Sequence, residues 1–232
     1  MNWGIFRWYA KLKKLAGVEK RIVCLAISDM APGRCIAGKE LRDKSWIRPV
    51  NGKPGEGLSR NERLCWGRHE PNVLDIIDVP VTEKAPRGHQ SENWLINSNR
   101  RWKYTRKLSW GDLGALVDDP DVLWRNDYRN DRVSLDAVQN LTGSLYLLRV
   151  EDMVLWVSMG ESGKRFRGQF TWRGISYNFA VTDPVIKHSA EFGRHDIGAC
   201  YVTVSLAAVP FHGFYYKLIA AIITPNRVKE QT

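Results

Sequence analysis

Two long blocks of the sequence consist of short apolar runs that are separated by glycine, proline and polar turns. The first block covers residues 20–108 and includes runs at residues 21–28 and 73–81, and the second covers residues 144–225 with a run at residues 175–181. Short runs rich in valine and isoleucine are typical of β-strands. Several such strands with tight breaks between them predict a small β barrel in each block.

The segments outside these blocks predict helices. Residues 1–19 carry apolar side chains at helical spacing and basic side chains on the other faces, which is typical of a basic amphipathic helix. Such a helix could lie on a membrane surface, dock on a partner or pack on its own domain. In residues 109–143, Ser109 and Asp112 form an approximate capping box, so this stretch predicts a helical connector. Residues 226–232 are expected to form a frayed tail.

The charge of the chain favours a polyanionic partner. Its formal net charge is +10, and residues 1–120 hold most of it. Positive charge of this size is typical of proteins that bind nucleic acid or an anionic membrane surface. The sequence has no apolar run long enough for a membrane span and no signal-peptide pattern, so a cytoplasmic location is expected. The four cysteines have neither zinc-knuckle nor redox-pair spacing and are expected to be reduced thiols.

Four stretches of the chain together resemble one known family. They are KRIVCLAISDMAPGRCIAGKEL, SWIRPV, LDIIDVPV followed by GHQSENWLI, and YNFAVTDP followed by YVTVSLAAVPFHGFYYKLIAAII. In their order and character these motifs resemble the dual-OB-containing domain family, prokaryotic proteins built from two OB-like barrels in tandem. The resemblance covers roughly residues 20–224.

The resemblance refines the fold prediction and adds an expectation about function. The predicted fold is mainly β (α+β), with two small tandem OB-like barrels joined by a short helical segment and preceded by the amphipathic helix. The resemblance implies nucleic-acid binding or nucleotide sensing beside helicases, nucleases or antiviral defence systems, and it carries over no established catalytic residues. The positions that match its motifs are Arg34, Gly38, Trp46, Arg48, His89, Gln90, Glu92, Asn93, Trp94, Thr182, Asp183, Ser205 and Lys217.

The stretch NRRWKYTRK concentrates basic side chains around two rings. An extended backbone would place Trp102 and Tyr104 on one face and Arg101 and Lys103 on the other. A strand that buries its rings explains this alternation by itself. Nucleic acid also explains the concentration of charge, since bases stack on rings and phosphates meet basic groups. The basic candidates here are Arg100, Arg101, Lys103, Arg106 and Lys107.

Two further stretches have similar chemistry. In WIRPV, Trp46 and Arg48 share one strand face, either as an exposed platform for a base and a phosphate or as a buried ring beside a paired arginine. GKRFRGQF repeats the basic and aromatic pattern in the second block. The further candidate contacts are Lys164, Arg165, Phe166 and Arg167 from this stretch and Arg34 from the first block.

The segment GHQSENW is the best catalytic candidate. His89 could shuttle a proton and Glu92 could act as a base or metal ligand, whereas the competing interpretation is a loop that closes the first barrel. Asp75 and Asp78 are three residues apart, which puts them on opposite faces of a regular strand. The sequence therefore brings no carboxylate cluster to one metal. No metal or other cofactor is predicted, and a binding module is favoured over an enzyme.

The segment GRCIAGKE fits the Gly-x4-Gly-Lys spacing of a phosphate loop. However, Glu40 stands where serine or threonine is needed to hold magnesium, and both flanks predict β structure. A turn is therefore favoured over a nucleotide-binding loop.

The sequence thus predicts an accessory or sensor module that binds single-stranded or structured DNA or RNA, with a protein partner on the N-terminal helix. One alternative is a metal-dependent enzyme that acts on nucleic acid or a nucleotide through His89 and Glu92. Another is a protein-interaction scaffold that uses the N-terminal helix and some of the ten tryptophans.

Overall fold

The computed structural model describes residues 17–124, 129–161 and 163–230, with the backbone alone for residues 228–230. Residues 1–16, which carry most of the expected amphipathic helix, lie outside the described part, and Val18 already belongs to the first strand. The mainly β prediction is confirmed. No helix among the described residues has both the length and the hydropathy to cross a membrane.

The first barrel closes from five strands. Hydrogen bonds join them in the order β1-β2-β3-β5-β4 and back to β1, and β3 and β5 run parallel. Helix α1 (Arg60–Arg63) lies between β3 and β4, and a sixth strand, β6 (Lys103–Lys107), pairs with β4. The five barrel strands are β1 Val18–Met30, β2 Gly33–Glu40, β3 Trp46–Val50, β4 Asp75–Lys84 and β5 Asn93–Ile96.

The connector between the barrels consists of short helical turns and one short strand. The hydroxyl of Ser109 donates to Asp112 Oδ2 at 2.8 Å and does not cap a backbone N–H, and the residues that follow form 3-10 turns. Later in the connector a short strand, β7 (Arg132–Ser134), leads directly into helix α2 (Leu135–Val138). The connector thus combines helical turns with a strand that pairs with the second barrel.

The second barrel repeats the plan of the first. Its strands follow the order β8-β9-β10-β12-β11 and return to β8, and β10 and β12 are parallel. Helix α3 (Pro184–Ser189) lies between β10 and β11, the third and fourth strands of this barrel, and α1 lies between the third and fourth strands of the first barrel. Strand β7 pairs with β12. The strands are β8 Leu145–Gly160, β9 Gly163–Trp172, β10 Ile175–Val181, β11 Gly193–Leu206 and β12 Phe214–Ile223. This plan is that of a five-stranded Greek-key barrel.

The expected frayed tail begins with a helix. Helix α4 (Pro225–Glu230) follows β12 directly. Its Arg227 is buried and pairs with Asp183 of the second barrel. This ion pair holds the start of the predicted tail on the barrel.

Strand β1 is buried on both faces, between the core of the first barrel and a cluster shared with the second barrel. Alternate residues of a strand point to opposite faces. Ile22 and Cys24 pack in the core of the first barrel, whereas Val23 and Leu25 pack in a second cluster that includes Leu147 of β8. The uninterrupted apolar run IVCLAI is therefore needed because both faces of β1 are buried.

The glycine motif GRCIAGKE is strand β2 and not a turn. A Cβ atom on Gly38 would lie 2.1 Å from the backbone oxygen of Val23, so glycine here allows the close approach of β2 to β1. The neighbouring Lys39 is buried, with its Nζ 2.5 Å from Asp118 Oδ1. The glycine and the lysine of this motif therefore serve packing rather than phosphate binding.

Replacing Gly38 by alanine is expected to lower the free energy of unfolding by about 1–3 kcal/mol, because the new methyl group overlaps a backbone oxygen. Gly111→Ala is the matched control, since a Cβ there meets only Ser109 Oγ at 3.8 Å. Urea denaturation followed by tryptophan fluorescence measures both variants. A Gly38→Ala protein as stable as the wild type would contradict the close approach.

Candidate nucleic-acid interface

The second barrel covers the outer face of β2 and β3. Ala37 packs there against Leu145 and Ala220 of the second barrel, with Trp46 beside them. Small side chains at this contact let the two barrels approach closely. Trp46 lies beside this contact, so it does not belong to an open barrel face, although its ring stays partly exposed.

Arg48 is also an inter-barrel residue. It is 5% exposed, its Nη2 lies 3.1 Å from Glu92 Oε1, and it donates to Ser144 Oγ at 2.9 Å. Buried charges are stable only when they are paired and hydrogen-bonded. The competing interpretation of WIRPV, a buried ring beside a paired arginine, therefore describes this strand, and the phosphate contact predicted for Arg48 is corrected.

His89 ties the loop between β4 and β5 to the second barrel. Its Nε2 lies 3.0 Å from the backbone oxygen of Ala207, and its ring packs edge-on against Tyr215 with 4.9 Å between centroids. Burial lowers the pKa of His89, so the ring is neutral at neutral pH. His89 is thus held inside the contact, and its bonds are those of a structural residue.

The candidate carboxylates are held apart by separate partners. Asp78 accepts from Arg21 Nε at 2.7 Å, Asp75 lies 2.7 Å from the His69 ring, and Asp183 pairs with Arg227. Among the residues that the structure describes, no group of three or more His, Cys, Asp and Glu side chains could hold a metal ion.

The basic stretch of the first barrel forms strand β6 and the turn before it. Its Trp102 is 1% exposed and packs in the core of the first barrel. The expected stacking of a base on Trp102 is therefore corrected. The charged residues on both sides of it, Arg101 and Lys103, are exposed, as the alternation predicts.

The exposed basic residues near β6 differ in how far they are already neutralised. Arg100 pairs with Glu19, and Lys107 lies 4.0 Å from Asp75 Oδ1. Lys103 has no ion-pair partner among the described residues, and Arg106 donates only to the backbone of Lys107, at 3.5 Å. Lys103 and Arg106 are therefore the best-placed phosphate contacts of this stretch.

An exposed tryptophan beside β6 was missed by the sequence analysis. The backbone N–H of Trp66 donates to the backbone oxygen of Trp102 at 2.9 Å, and the Trp66 side chain is 70% exposed. Tyr104 is partly exposed, and its ring packs against the His69 ring at a tilt of 42°, with 4.4 Å between ring centroids. We call the exposed group Trp66, Arg101, Lys103, Tyr104 and Arg106 the β6 surface. In the sequence, Trp66 stands in a loop of glycine and charge, which gives no periodic signal of its exposure.

The second barrel carries a basic and aromatic row across three strands. In the strand register Trp156 of β8 pairs with Arg194 of β11 on one side and with Arg167 of β9 on the other. Paired residues of neighbouring strands point to the same face. Since Leu155 and Val157 are buried, Trp156 points outward and is 42% exposed. The Arg194 guanidinium lies 5.6 Å from the centroid of the Trp156 ring.

Like charges crowd together on this face. Burial of Arg167 and the nearby charge of Arg165 lower the pKa of Arg167; Asp131 opposes this and Arg132 adds to it. The side chain of Arg165 is exposed and has no ion pair or hydrogen bond within the part of the chain that the structure describes. We call the group Arg132, Trp156, Arg165, Arg167 and Arg194 the barrel-2 face. Arg132 pairs with Asp131 at 2.8 Å and Arg194 pairs with Asp196 at 2.7 Å. Arg165 and Arg167 have no ion-pair partner among the described residues, so a phosphate would relieve the repulsion between them.

The other candidates from the basic stretches lie elsewhere. Phe166 is buried in the core of the second barrel, so the base stacking predicted for it is corrected. Lys164 donates to the backbone oxygen of Ala190 at 3.3 Å and lies over the Phe192 ring. Arg34 is partly exposed, with its Nε 3.9 Å from Asp29 Oδ1.

The missed tryptophan of the barrel-2 face has a signal in the sequence. In LWVS, Trp156 stands between two aliphatic residues, and strict alternation with a buried face predicts that it points outward. Its partner Arg194 lies about forty residues away on another strand, and only the register brings the two together.

Comparisons with known proteins place the chain in a family. A comparison with curated proteins gives no match. A crystal structure of the tetrameric p202 HIN2 aligns with 90% of this chain and 93% of its own, at 10% sequence identity and a TM-score of 0.33. The family model described as the dual OB-containing domain matches residues 20–222, which contain nearly all of both barrels. This chain therefore belongs to the dual OB-containing domain family.

Proposed function

We propose that this protein binds single-stranded or structured nucleic acid and that the barrel-2 face is its main contact surface. The observation that carries the proposal is the row of Arg194, Trp156 and Arg167, which joins an outward-facing indole to two guanidinium groups across three paired strands. An exposed ring accepts a stacked base, and the arginines beside it meet the phosphates on either side.

The position of the face in the fold supports the proposal. OB folds bind oligonucleotides on the face of their second and third strands and on the loops that adjoin it. In the first barrel these strands are β2 and β3, and the second barrel covers their outer face. In the second barrel they are β9 and β10, whose outward residues are exposed. The barrel-2 face shares β9, the second strand, with this open surface and extends from it onto β8 and β11.

The β6 surface supplies a second contact area for the nucleic-acid strand. Trp66 and Tyr104 offer rings, and Lys103 and Arg106 offer cations that no carboxylate of the described residues neutralises. The uneven charge of the sequence also falls on this barrel. Aromatic groups interleaved with basic ones are typical of surfaces that hold single strands without reading their sequence.

The experiment that tests the proposal is fluorescence anisotropy with labelled single-stranded DNA, single-stranded RNA and duplex across a salt series. Binding is expected to weaken linearly in log salt, with a slope of roughly −0.7 per phosphate contact. Arg165→Glu/Arg194→Glu is expected to make this slope shallower by about 1.4, because two contacts are lost. Both residues are exposed, so the fold is expected to be retained.

The matched control is Arg42→Glu/Lys53→Glu, which makes the same change of charge at two exposed residues outside both surfaces. Equal loss of affinity in the two variants would show that only the net charge matters and would overturn the assignment of the barrel-2 face. Gel analysis of the same mixtures with magnesium or manganese tests the enzyme alternative, since cleavage that depends on His89 or Glu92 would replace the binding proposal.

A further inference from the structure

A cleft of about 470 Å³ opens between the two barrels, apart from both surfaces described above. The first barrel contributes Trp46 and Trp94 to its wall, and the second contributes Tyr146. All three rings are partly exposed. Cavities of some hundreds of Å³ with ring-lined walls are typical of small-molecule sites.

Two lysines face one ring of this cleft. Lys20 Nζ lies 4.6 Å and Lys84 Nζ 5.7 Å from the centroid of the Trp94 indole. Lys20 also pairs with Glu40 at 2.9 Å. Lys84 has no carboxylate partner in the described part of the chain, so its ammonium is the uncompensated cation of the cleft. A cation held over a ring and left without a counterion is suited to an anionic ligand.

Two of the three acidic residues of the cleft are compensated, whereas the exposed Asp43 accepts from the Ser45 N–H at 2.9 Å and has no ion-pair partner among the described residues. Asp118 accepts from Lys39, from Trp46 Nε1 at 3.0 Å and from the Leu147 N–H at 2.8 Å. Glu92 pairs with Arg48 through Oε1. These carboxylates therefore do not oppose an anion as free charges would.

Glu92 also provides an unused acceptor. It is 6% exposed and lines the cleft, and its Oε2 has no hydrogen-bond partner among the described residues. A buried polar atom without a partner is costly, so a donor that reaches it would be favoured. The exocyclic amine of a nucleobase is a donor of this kind.

We propose that this cleft binds a nucleoside phosphate, either free or at the end of a strand. The base packs among Trp46, Trp94 and Tyr146, with its donor directed to Glu92. The phosphate lies at the ammonium of Lys84, with Lys20 beside it. Hydroxyl and carboxylate groups of Ser91, Thr142 and Asp43 line the same cleft and can meet the ribose hydroxyls.

The proposal is tested by isothermal titration calorimetry of the 232-residue chain with AMP, CMP, GMP and UMP, with the matching nucleosides and with inorganic phosphate. At least one nucleotide is expected to bind with a Kd below about 1 mM, and at least about tenfold more tightly than its nucleoside. Lys84→Met is expected to remove that tenfold preference. Lys84 is exposed, so its replacement leaves the fold intact.

Lys53→Met is the control, because it removes an exposed lysine of the same barrel outside the cleft. Oligonucleotides of about eight residues, with and without a terminal phosphate, distinguish the two sources of the ligand, within the site size of one OB fold. Tighter binding of the phosphorylated strand, displaced by the mononucleotide, assigns a strand end; equal binding of both strands assigns the free nucleotide.

Absence of nucleotide binding, or a phosphate preference that survives Lys84→Met, would overturn the proposal. The barrel-2 face does not include Lys84, so loss of nucleotide binding in Lys84→Met with unchanged oligonucleotide binding separates this site from the proposed function.

Discussion

Replacing Asp183 by alanine is expected to lower the free energy of unfolding by about 3–5 kcal/mol. Asp183 is fully buried and pairs with Arg227, and it accepts from the Val185 N–H at the start of α3 and from the Ile222 N–H of β12, both at 3.0 Å. The substitution leaves a buried guanidinium and two backbone donors without their acceptor. Urea denaturation followed by circular dichroism measures the loss.

Two further variants test the reason for this loss. Asp183→Asn keeps the shape and an acceptor oxygen, so it is expected to cost less than alanine while still losing the charge pair. Asp121→Ala removes an exposed carboxylate whose contact with Arg173 is 3.7 Å long, and it is expected to change stability by less than about 0.5 kcal/mol. An Asp183→Ala protein no less stable than Asp121→Ala would show that the buried pair contributes nothing net.

The β character and the two-block division of the chain could be predicted because they depend on local patterns. The apolar runs and the breaks between them mark β1, β4 and β10 without knowledge of their partners. The order in which the strands pair around each barrel could not be predicted in this way, since it depends on hydrogen bonds between strands that are distant in the sequence. The connector was predicted as helical because Ser109 and Asp112 have capping-box spacing, yet their side chains bond to each other.

The candidate site was predicted less well, for a physical reason. A strand with Trp46 and Arg48 on one face has the same local sequence whether water or a second barrel covers that face. The structure covers it with Leu145 and Ala220, and the exposed platform becomes an interface. The basic stretch around β6 has the same ambiguity, since its sequence fits both a buried and an exposed face. In the structure, Trp102 lies in the core, whereas the next residue, Lys103, is exposed to solvent.

Reversing charge on both surfaces at once is expected to have the largest effect on nucleic-acid binding. The variant combines Lys103→Glu and Arg106→Glu on the β6 surface with Arg165→Glu and Arg194→Glu on the barrel-2 face. Loss of four phosphate contacts makes the slope of log affinity against log salt shallower by about 3 and lowers affinity near physiological salt by about 100-fold or more. Anisotropy with a single strand of about 30 nucleotides measures both quantities.

The two pairs of substitutions also show whether one strand uses both surfaces. A strand of about eight nucleotides is within the site size of a single OB fold, whereas one of about 30 can reach further. If one strand follows both surfaces, the second contact of the long strand is intramolecular, and Lys103→Glu/Arg106→Glu weakens the long strand much more than the short one. If the surfaces bind separate strands, this pair of substitutions has the same effect at both lengths. If it has no effect at either length, the β6 charges serve only solvation, and binding belongs to the barrel-2 face alone.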